Sequence, residues 1–209
     1  MERAIERFAP LAGIVAAVLL VASVLGVGTT PALDEPASDV VDYFENNAGQ
    51  VRFSSVLAAL SAIALLVFAS RLSAAMREHG GLKVLPATAF AGGIVAATGI
   101  GVDAALRFAM VEAAGDASPE ALQALLALWN GYFLAIHLGF AVLVLAASLS
   151  ALESKVVPMP LSALGIAAAL LLIVPVMAVT LIGLAAAGVW VIAVGVMLYR
   201  QPASAGNIP

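Results

Sequence analysis

The chain contains no cysteine, and only 11% of its 209 residues are charged. The absence of cysteine excludes disulfides, thiolate metal sites and cysteine nucleophiles. The shortage of charge excludes an ordinary soluble domain, in which about 25% of residues are charged. With 63% hydrophobic residues and a mean hydropathy of +1.10, the sequence is too apolar for a core covered by a polar surface. We therefore expect the lipid bilayer as a partner, and no nucleic acid.

Apolar runs recur along the whole chain, and runs of 18 or more apolar residues are typical of membrane-spanning helices. We predict an all-α fold, a polytopic bundle made by one integral membrane domain covering residues 1–209. About six spans are expected, at residues 8–28, 51–72, 84–111, 122–152, 161–177 and 182–199.

The last apolar stretch, from Leu161 to Tyr199, is ambiguous between one span and two. As a single helix it would be nearly twice as long as the roughly 30 Å hydrocarbon core of a bilayer. We therefore predict a reversal between Met177 and Gly183, just past Pro175. This divides the stretch into a terminal hairpin.

The first loop, residues 29–50, is acidic and is expected to carry a short helix at the membrane surface. Val40, Val41 and Phe44 have helical spacing behind Ser38 or Asp39, either of which is a favoured N-cap residue. Residues 46–49 are predicted to end this helix.

The basic residues predict the orientation of the chain. With the N-terminus inside, the cytoplasmic segments hold seven of them and the outer segments hold only Arg52; the seven are Arg3, Arg7, Arg71, Arg77, Lys83, Lys155 and Arg200. Basic residues favour the cytoplasmic side, and six spans keep Arg200 there whereas five would not. We predict a multi-pass protein with both termini inside. Heavy use of alanine, valine and glycine with only two lysines indicates a bacterial cytoplasmic membrane.

Two ionisable residues lie within the third predicted span. Asp103 and Arg107 are four residues apart, with the acid first, which is the favourable arrangement for a helical ion pair. Each group costs about 2.5–3.5 kcal/mol at the centre of a spanning helix, so such groups usually face the bundle and have partners.

The fourth predicted span carries polar residues at intervals of seven, Gln123, Asn130 and His137, which lie on one stripe of a helix. A short antiparallel turn near Asp116 would place Asp103 level with Trp129 and Asn130. The sequence therefore predicts one polar layer in the outer half of the membrane, formed by Asp103, Arg107, Gln123, Asn130 and His137.

This layer has several interpretations. It can hold two helices in register, bind a solute or an ion, or supply Asp103 or His137 as an acid or base. Alternatively, Arg107 reaches the outer surface and forms no pair. We assign no catalytic residue, no metal and no cofactor. A haem at His137 would usually require a second axial ligand, and His79 lies on the opposite side; a methionine or an open position is the alternative.

Three stretches resemble a family of small bacterial membrane proteins described only as a domain of unknown function. They are the "VVDYFENNAGQ" segment at 40–50, the "RFSSVLAALSAIALLVFASRLSAAMRE" segment at 52–78, and the P-x-P-L-S-A-L-G pattern from Pro158 to Gly165. The resemblance implies a six-helix bundle in the bacterial cytoplasmic membrane. It implies no activity and no catalytic residues.

Three functions fit these observations. The first is a non-enzymatic binding or accessory protein that holds a lipophilic small molecule or a partner membrane protein. The second is a small transporter or channel component that uses the polar layer, which would need a water path from both sides. The third is a membrane-embedded enzyme with Asp103 or His137 as acid or base.

Overall fold

The computed structural model describes residues 8–79, 82–154, 157–174 and 176–200, and these form helices and short connections without any strand. The predicted all-α fold is therefore confirmed. A short 3₁₀ turn, Ala9–Leu11, leads into seven α-helices: α1 Ala12–Val27, α2 Ala37–Asn46, α3 Ala48–Glu78, α4 Val84–Ala113, α5 Pro119–Ser154, α6 Met159–Ile173 and α7 Met177–Arg200. Arg3, Arg7 and Lys155, which entered the orientation argument, lie outside the described residues.

Five helices of the described chain are long and apolar enough to cross a membrane: α1 with its leading turn, α3, α4, α5 and α7. By their length and composition, these helices indicate a multi-pass membrane bundle. Helix α6 is apolar but has only 15 residues. At about 1.5 Å per residue it is roughly 22 Å long, shorter than the hydrocarbon core. A count of six spans depends on this helix and remains a prediction.

Six of the helices pack as a closed ring in chain order. Helix α1 packs on α3, each of α3, α4, α5 and α6 packs on the next helix, and α7 returns to α1. The rings of Phe8 and Tyr199 stack with centroids 6.1 Å apart, next to the start of α1 and the end of α7. The two ends of the described chain therefore lie side by side.

A close helix contact joins α4 to α5, and it depends on glycine. A Cβ on Gly139 would lie 2.2 Å from the backbone nitrogen of Ala96, and one on Gly92 would lie 2.4 Å from the nitrogen of Leu143. Only glycine allows the backbones to approach this closely, as is common between membrane helices. This contact fixes the register and rotation of the two helices, with Gly99 opposite Ile136.

Helix α2 lies across one end of the bundle. Gly28, with a φ of 74°, ends α1 and reverses the chain toward α2. Val40 and Phe44, two of the residues with helical spacing, are buried, and they pack in a cluster with residues of α4 and α5 that include Met110 and Leu126.

The predicted cap of α2 was wrong. Its N-cap is Pro36, and neither Ser38 nor Asp39 caps the helix, because it begins one residue before Ser38, at Ala37. Ser38 instead hydrogen-bonds the side chain of Asp39. The position of α2 at a membrane surface remains a prediction.

The last apolar stretch is divided as predicted, but earlier in the chain. Helix α6 ends at Ile173 and α7 starts at Met177, so the break precedes the expected interval of 177–183. Residue Val174 is extended, with a ψ of 121°, as is favoured before a proline; Pro175 itself lies outside the described residues. The Thr180 hydroxyl is within hydrogen-bond distance of the carbonyls of Val174 and Val176.

Candidate functional site

The ion pair predicted from the spacing on α4 is present. Arg107 Nη2 lies 2.6 Å from Asp103 Oδ2, and each residue is only 2% exposed. Because the two residues are four apart on one helix, α4 itself holds them in place without a contribution from a loop. Both charges are therefore withdrawn from solvent and from lipid.

Three neighbouring helices supply the remaining partners of the pair. The indole nitrogen of Trp129, on α5, donates a hydrogen bond of 2.6 Å to Asp103 Oδ1. Arg107 Nη1 donates to Ser23 Oγ of α1 at 2.9 Å and to Ser54 Oγ of α3 at 3.2 Å. The guanidinium also lies 5.5 Å from the centroid of the Trp129 ring, within cation–π range. One ion pair thus connects four helices.

Helix α2 contributes a tyrosine close to this cluster. The Tyr43 hydroxyl donates a hydrogen bond to the carbonyl of Val27, the last residue of α1. Burial raises the pKa of Tyr43 above its usual value, and the positive charge of Arg107 opposes part of that rise. The side chain therefore remains a neutral hydrogen-bond donor at physiological pH, and it fastens α2 to α1.

The other members of the predicted layer do not join the pair. Gln123 Nε2 donates to the carbonyls of Leu33 and Glu35, at 3.1 and 3.0 Å, and so ties α5 to the first loop. Asn130 is exposed. His137 is buried and stacks on Phe133, with ring centroids 6.2 Å apart. Gln123 and Asn130 therefore give the pair no hydrogen bond, and the five residues do not form the single layer predicted from the sequence.

The partners that the structure supplies instead are Trp129, Ser23 and Ser54. The antiparallel register predicts the depth of Trp129 correctly, but depth alone does not identify its N–H as the donor to Asp103. In the sequence, Ser54 looks like any small polar residue that packs between helices, and Ser23 is a serine within the apolar run of α1. Only their arrangement in three dimensions distinguishes these serines from others.

The chemistry open to this cluster is limited. Both carboxylate oxygens of Asp103 already accept strong hydrogen bonds, from Arg107 and Trp129. Among the described residues, no group of three or more histidine or acidic side chains could hold a metal ion. Asp103 and Arg107 are each only 2% exposed, so the pair is closed to a substrate and has the form of a structural connection.

A second feature is an apolar groove between α1 and α7, with a volume of about 660 Å³. Its walls include Val21 and Leu25 from α1 and Ile192 from α7, and its floor includes Leu65 and Phe140. Apart from Ser61, its lining is aliphatic, aromatic or glycine. The Ser61 hydroxyl donates to the carbonyl of Ala16 at 2.8 Å, so its polarity is satisfied within the wall.

Comparison with known proteins gives no match for this chain, whether with family models, with curated proteins or with solved structures. The family resemblance described above therefore remains a prediction. Any function must be argued from the site itself.

Proposed function

We propose that the chain is a non-enzymatic membrane protein whose groove between α1 and α7 binds the hydrocarbon part of a lipophilic molecule. The groove is the observation that carries this proposal. Its volume of about 660 Å³ falls within the usual range of small-molecule sites, about 300–1,000 Å³. Its nearly uniform apolar lining favours an alkyl or isoprenoid chain over a polar solute.

Selection in such a groove depends on shape. Lipid tails are as apolar as the groove, so the hydrophobic effect does not by itself favour a ligand over the surrounding bilayer. A ligand gains from the many dispersion contacts that a matching surface provides. Leu65 and Phe140, which are buried and line the groove from α3 and α5, give it contacts that a single open helix surface lacks.

The Asp103–Arg107 pair supports a binding or accessory role over transport or catalysis. Its oxygen atoms and both terminal guanidinium nitrogens are engaged by protein groups, and Tyr43 of α2 lies close to the guanidinium. A transporter would need these groups to exchange protein partners for solute. An acid or base would need a free lone pair or proton directed at a substrate.

We place the protein in a bacterial cytoplasmic membrane with both ends on the cytoplasmic side. The contact between Phe8 and Tyr199 supports an even number of crossings, because it brings the start of α1 and the end of α7 together. With the five long helices, α6 supplies the sixth crossing. The excess of basic residues on one side supports the orientation.

Filling the groove tests the proposed function. A Cβ on Gly188, which lines the groove, would meet no atom within 4 Å, so Gly188→Leu occupies the groove without a clash. Gly101 of α4 is equally unobstructed and lies outside the groove, so Gly101→Leu is the matched control. The probe is palmitate carrying a photoactivatable diazirine near the end of its chain, added to the full chain in liposomes.

We expect the wild type and Gly101→Leu to be labelled on α1 and α7, and Gly188→Leu to lose most of that label. Equal labelling of the three proteins, or labelling spread over all lipid-facing helices, would contradict the proposal. Excess unlabelled palmitate should compete for the specific fraction.

A further inference from the structure

The side-chain amide of Asn130 lies on the exposed surface of α5 without a hydrogen-bond partner among the described residues. Asn130 is exposed, and its side chain makes no hydrogen bond within the described part of the chain. The helix surface around it is otherwise apolar, with Leu134 exposed one turn below and Ala127 one turn above. An amide carries two N–H donors and a carbonyl acceptor, and hydrocarbon can satisfy none of them.

The depth of Asn130 follows from two observations. Arg52 of α3 forms an exposed ion pair with Glu112 of α4 at 2.8 Å, and we assign the boundary of the apolar belt to this charged pair. The contact of Gly139 with Ala96 sets the α4–α5 register, which places Asn130 about seven residues below Glu112. At 1.5 Å per residue, the amide is about 10 Å below the charged boundary. It therefore lies within the hydrocarbon region.

We propose that α5 forms a twofold-symmetric dimer interface centred on Asn130, with a second copy of this chain as the partner. Each amide donates one N–H to the carbonyl oxygen of the other, so the reciprocal pair satisfies both carbonyls and one of the two N–H donors of each amide. A second copy meets the requirement directly, because two chains inserted in the same orientation place Asn130 at the same depth. Twofold dimers bring identical surface patches together in this way.

The surface next to the amide allows the close approach that this pairing needs. Gly131 is exposed, and a Cβ built on it would meet no atom within 4 Å, so no side chain stands between the two helices at that level. Asparagine is among the residues that hydrogen-bond between membrane helices and so strengthen their association. The proposed dimer interface is separate from the groove between α1 and α7, so the dimer leaves the groove open.

Cross-linking tests the interface in the membrane, and the cysteine-free sequence provides a clean background. Ala127→Cys places a thiol one turn from Asn130. Val56→Cys, on the exposed surface of α3 and four residues below Arg52, places one at the same depth away from the interface. With a short bis-methanethiosulfonate reagent in liposomes, we expect a covalent dimer from Ala127→Cys and monomer from Val56→Cys. A monomer from both, or equal cross-linking of both, would overturn the proposal.

Substitution of Asn130 itself identifies the amide as the cause. We expect Asn130→Leu to raise the dissociation constant of the dimer about tenfold, as measured by subunit exchange between donor- and acceptor-labelled chains. Asn130→Gln keeps an amide and should retain most of the association. Thermal unfolding of the monomer in detergent should change little in either variant, because Asn130 makes no hydrogen bond within the described part of one chain. A dimer that is equally strong in Asn130→Leu would overturn the role of Asn130.

Discussion

At the scale of single residues, the partners of Arg107 explain how its positive charge is tolerated inside the bundle. Its guanidinium meets one carboxylate and two serine hydroxyls, and it faces an indole ring. Removal of one partner of a buried ion pair typically lowers the stability of the folded protein by about 3–5 kcal/mol, because the remaining charge is buried without an opposite charge. The pair should therefore behave as a unit.

We expect the double variant Asp103→Leu, Arg107→Met to be more stable than either single variant. Each single change leaves one buried charge, whereas the double change leaves only neutral groups without partners. Thermal unfolding of the three variants and the wild type in detergent measures this. Losses that add between the two single variants would contradict the pairing.

The indole N–H of Trp129 offers a second test, with an internal control. Trp129→Phe removes a hydrogen bond to a charged carboxylate, and we expect a loss of about 1.5–3 kcal/mol in the free energy of unfolding. The N–H of Trp190 is buried and has no partner in the described part of the chain. Trp190→Phe makes the same reduction in ring size at a buried position without removing a hydrogen bond, so its loss should be smaller than that of Trp129→Phe. Similar losses for the two variants would count against the Trp129 bond.

The spacing in the sequence predicted the pair but not its partners, and the reason is geometric. Asp103 and Arg107 are neighbours on one helix, whereas Ser23 is separated from Arg107 by 84 residues. The sequence pattern also did not predict how α5 is rotated about its own axis. The glycine contact at Gly139 fixes that rotation, and it turns Trp129 rather than Asn130 toward Asp103.

At the scale of elements, α2 is held by two buried side chains and by one hydrogen bond, from Tyr43 to the end of α1. Burial raises the pKa of Tyr43. In the docked helix the Tyr43 hydroxyl therefore keeps its proton at a pH where the tyrosine of an undocked helix has begun to ionise. Between these two pKa values the docked state binds more protons, and its stability falls as the pH rises. Below the ordinary tyrosine pKa of about 10 this group contributes no pH dependence.

We therefore expect α2 to detach progressively above about pH 10. Limited proteolysis within residues 29–50, compared at about pH 9 and about pH 11, measures the detachment. Tyr43→Phe cannot ionise and is the control, so its cleavage should increase less over the same interval. An identical increase in both proteins would show that other groups cause the change.

The long helices were predictable because uninterrupted apolar runs leave few alternatives for a backbone in lipid. The end of α6 was located less well. Its position depends on the extended residue before Pro175 and on the Thr180 hydroxyl near the carbonyls at the break, which are local details within a uniformly apolar stretch. Helix bounds elsewhere differ from the predicted spans mainly by extension beyond the apolar belt.

At the scale of the whole molecule, the return of α7 to α1 closes the ring of helices and creates the groove. The sequence could not predict this contact. Apolar residues that face lipid and apolar residues that face another helix look alike in composition, and no polar residue marks the α1–α7 boundary. Topology across the membrane is more accessible, because charge determines it.

Single-cysteine labelling tests the orientation. We expect a thiol at Asp39→Cys to react with a membrane-impermeant maleimide in intact cells, and one at Arg77→Cys to react only after permeabilisation. The cysteine-free wild type is the blank. The opposite pattern would reverse the orientation. A reporter at the C-terminus that is active only outside would leave five crossings instead of six.

The stacking of Phe8 on Tyr199 has a consequence for chain connectivity. Since the first and last described helices are neighbours, a peptide linker that replaces residues 1–7 and 201–209 can join Phe8 to Arg200 without crossing the bundle. New termini can then be opened in the exposed turn between α4 and α5, around Gly115. Circular permutation is tolerated where ends are close and the new break is exposed. Such a permutant should retain the ring of helices, with α7 now preceding α1 in the chain.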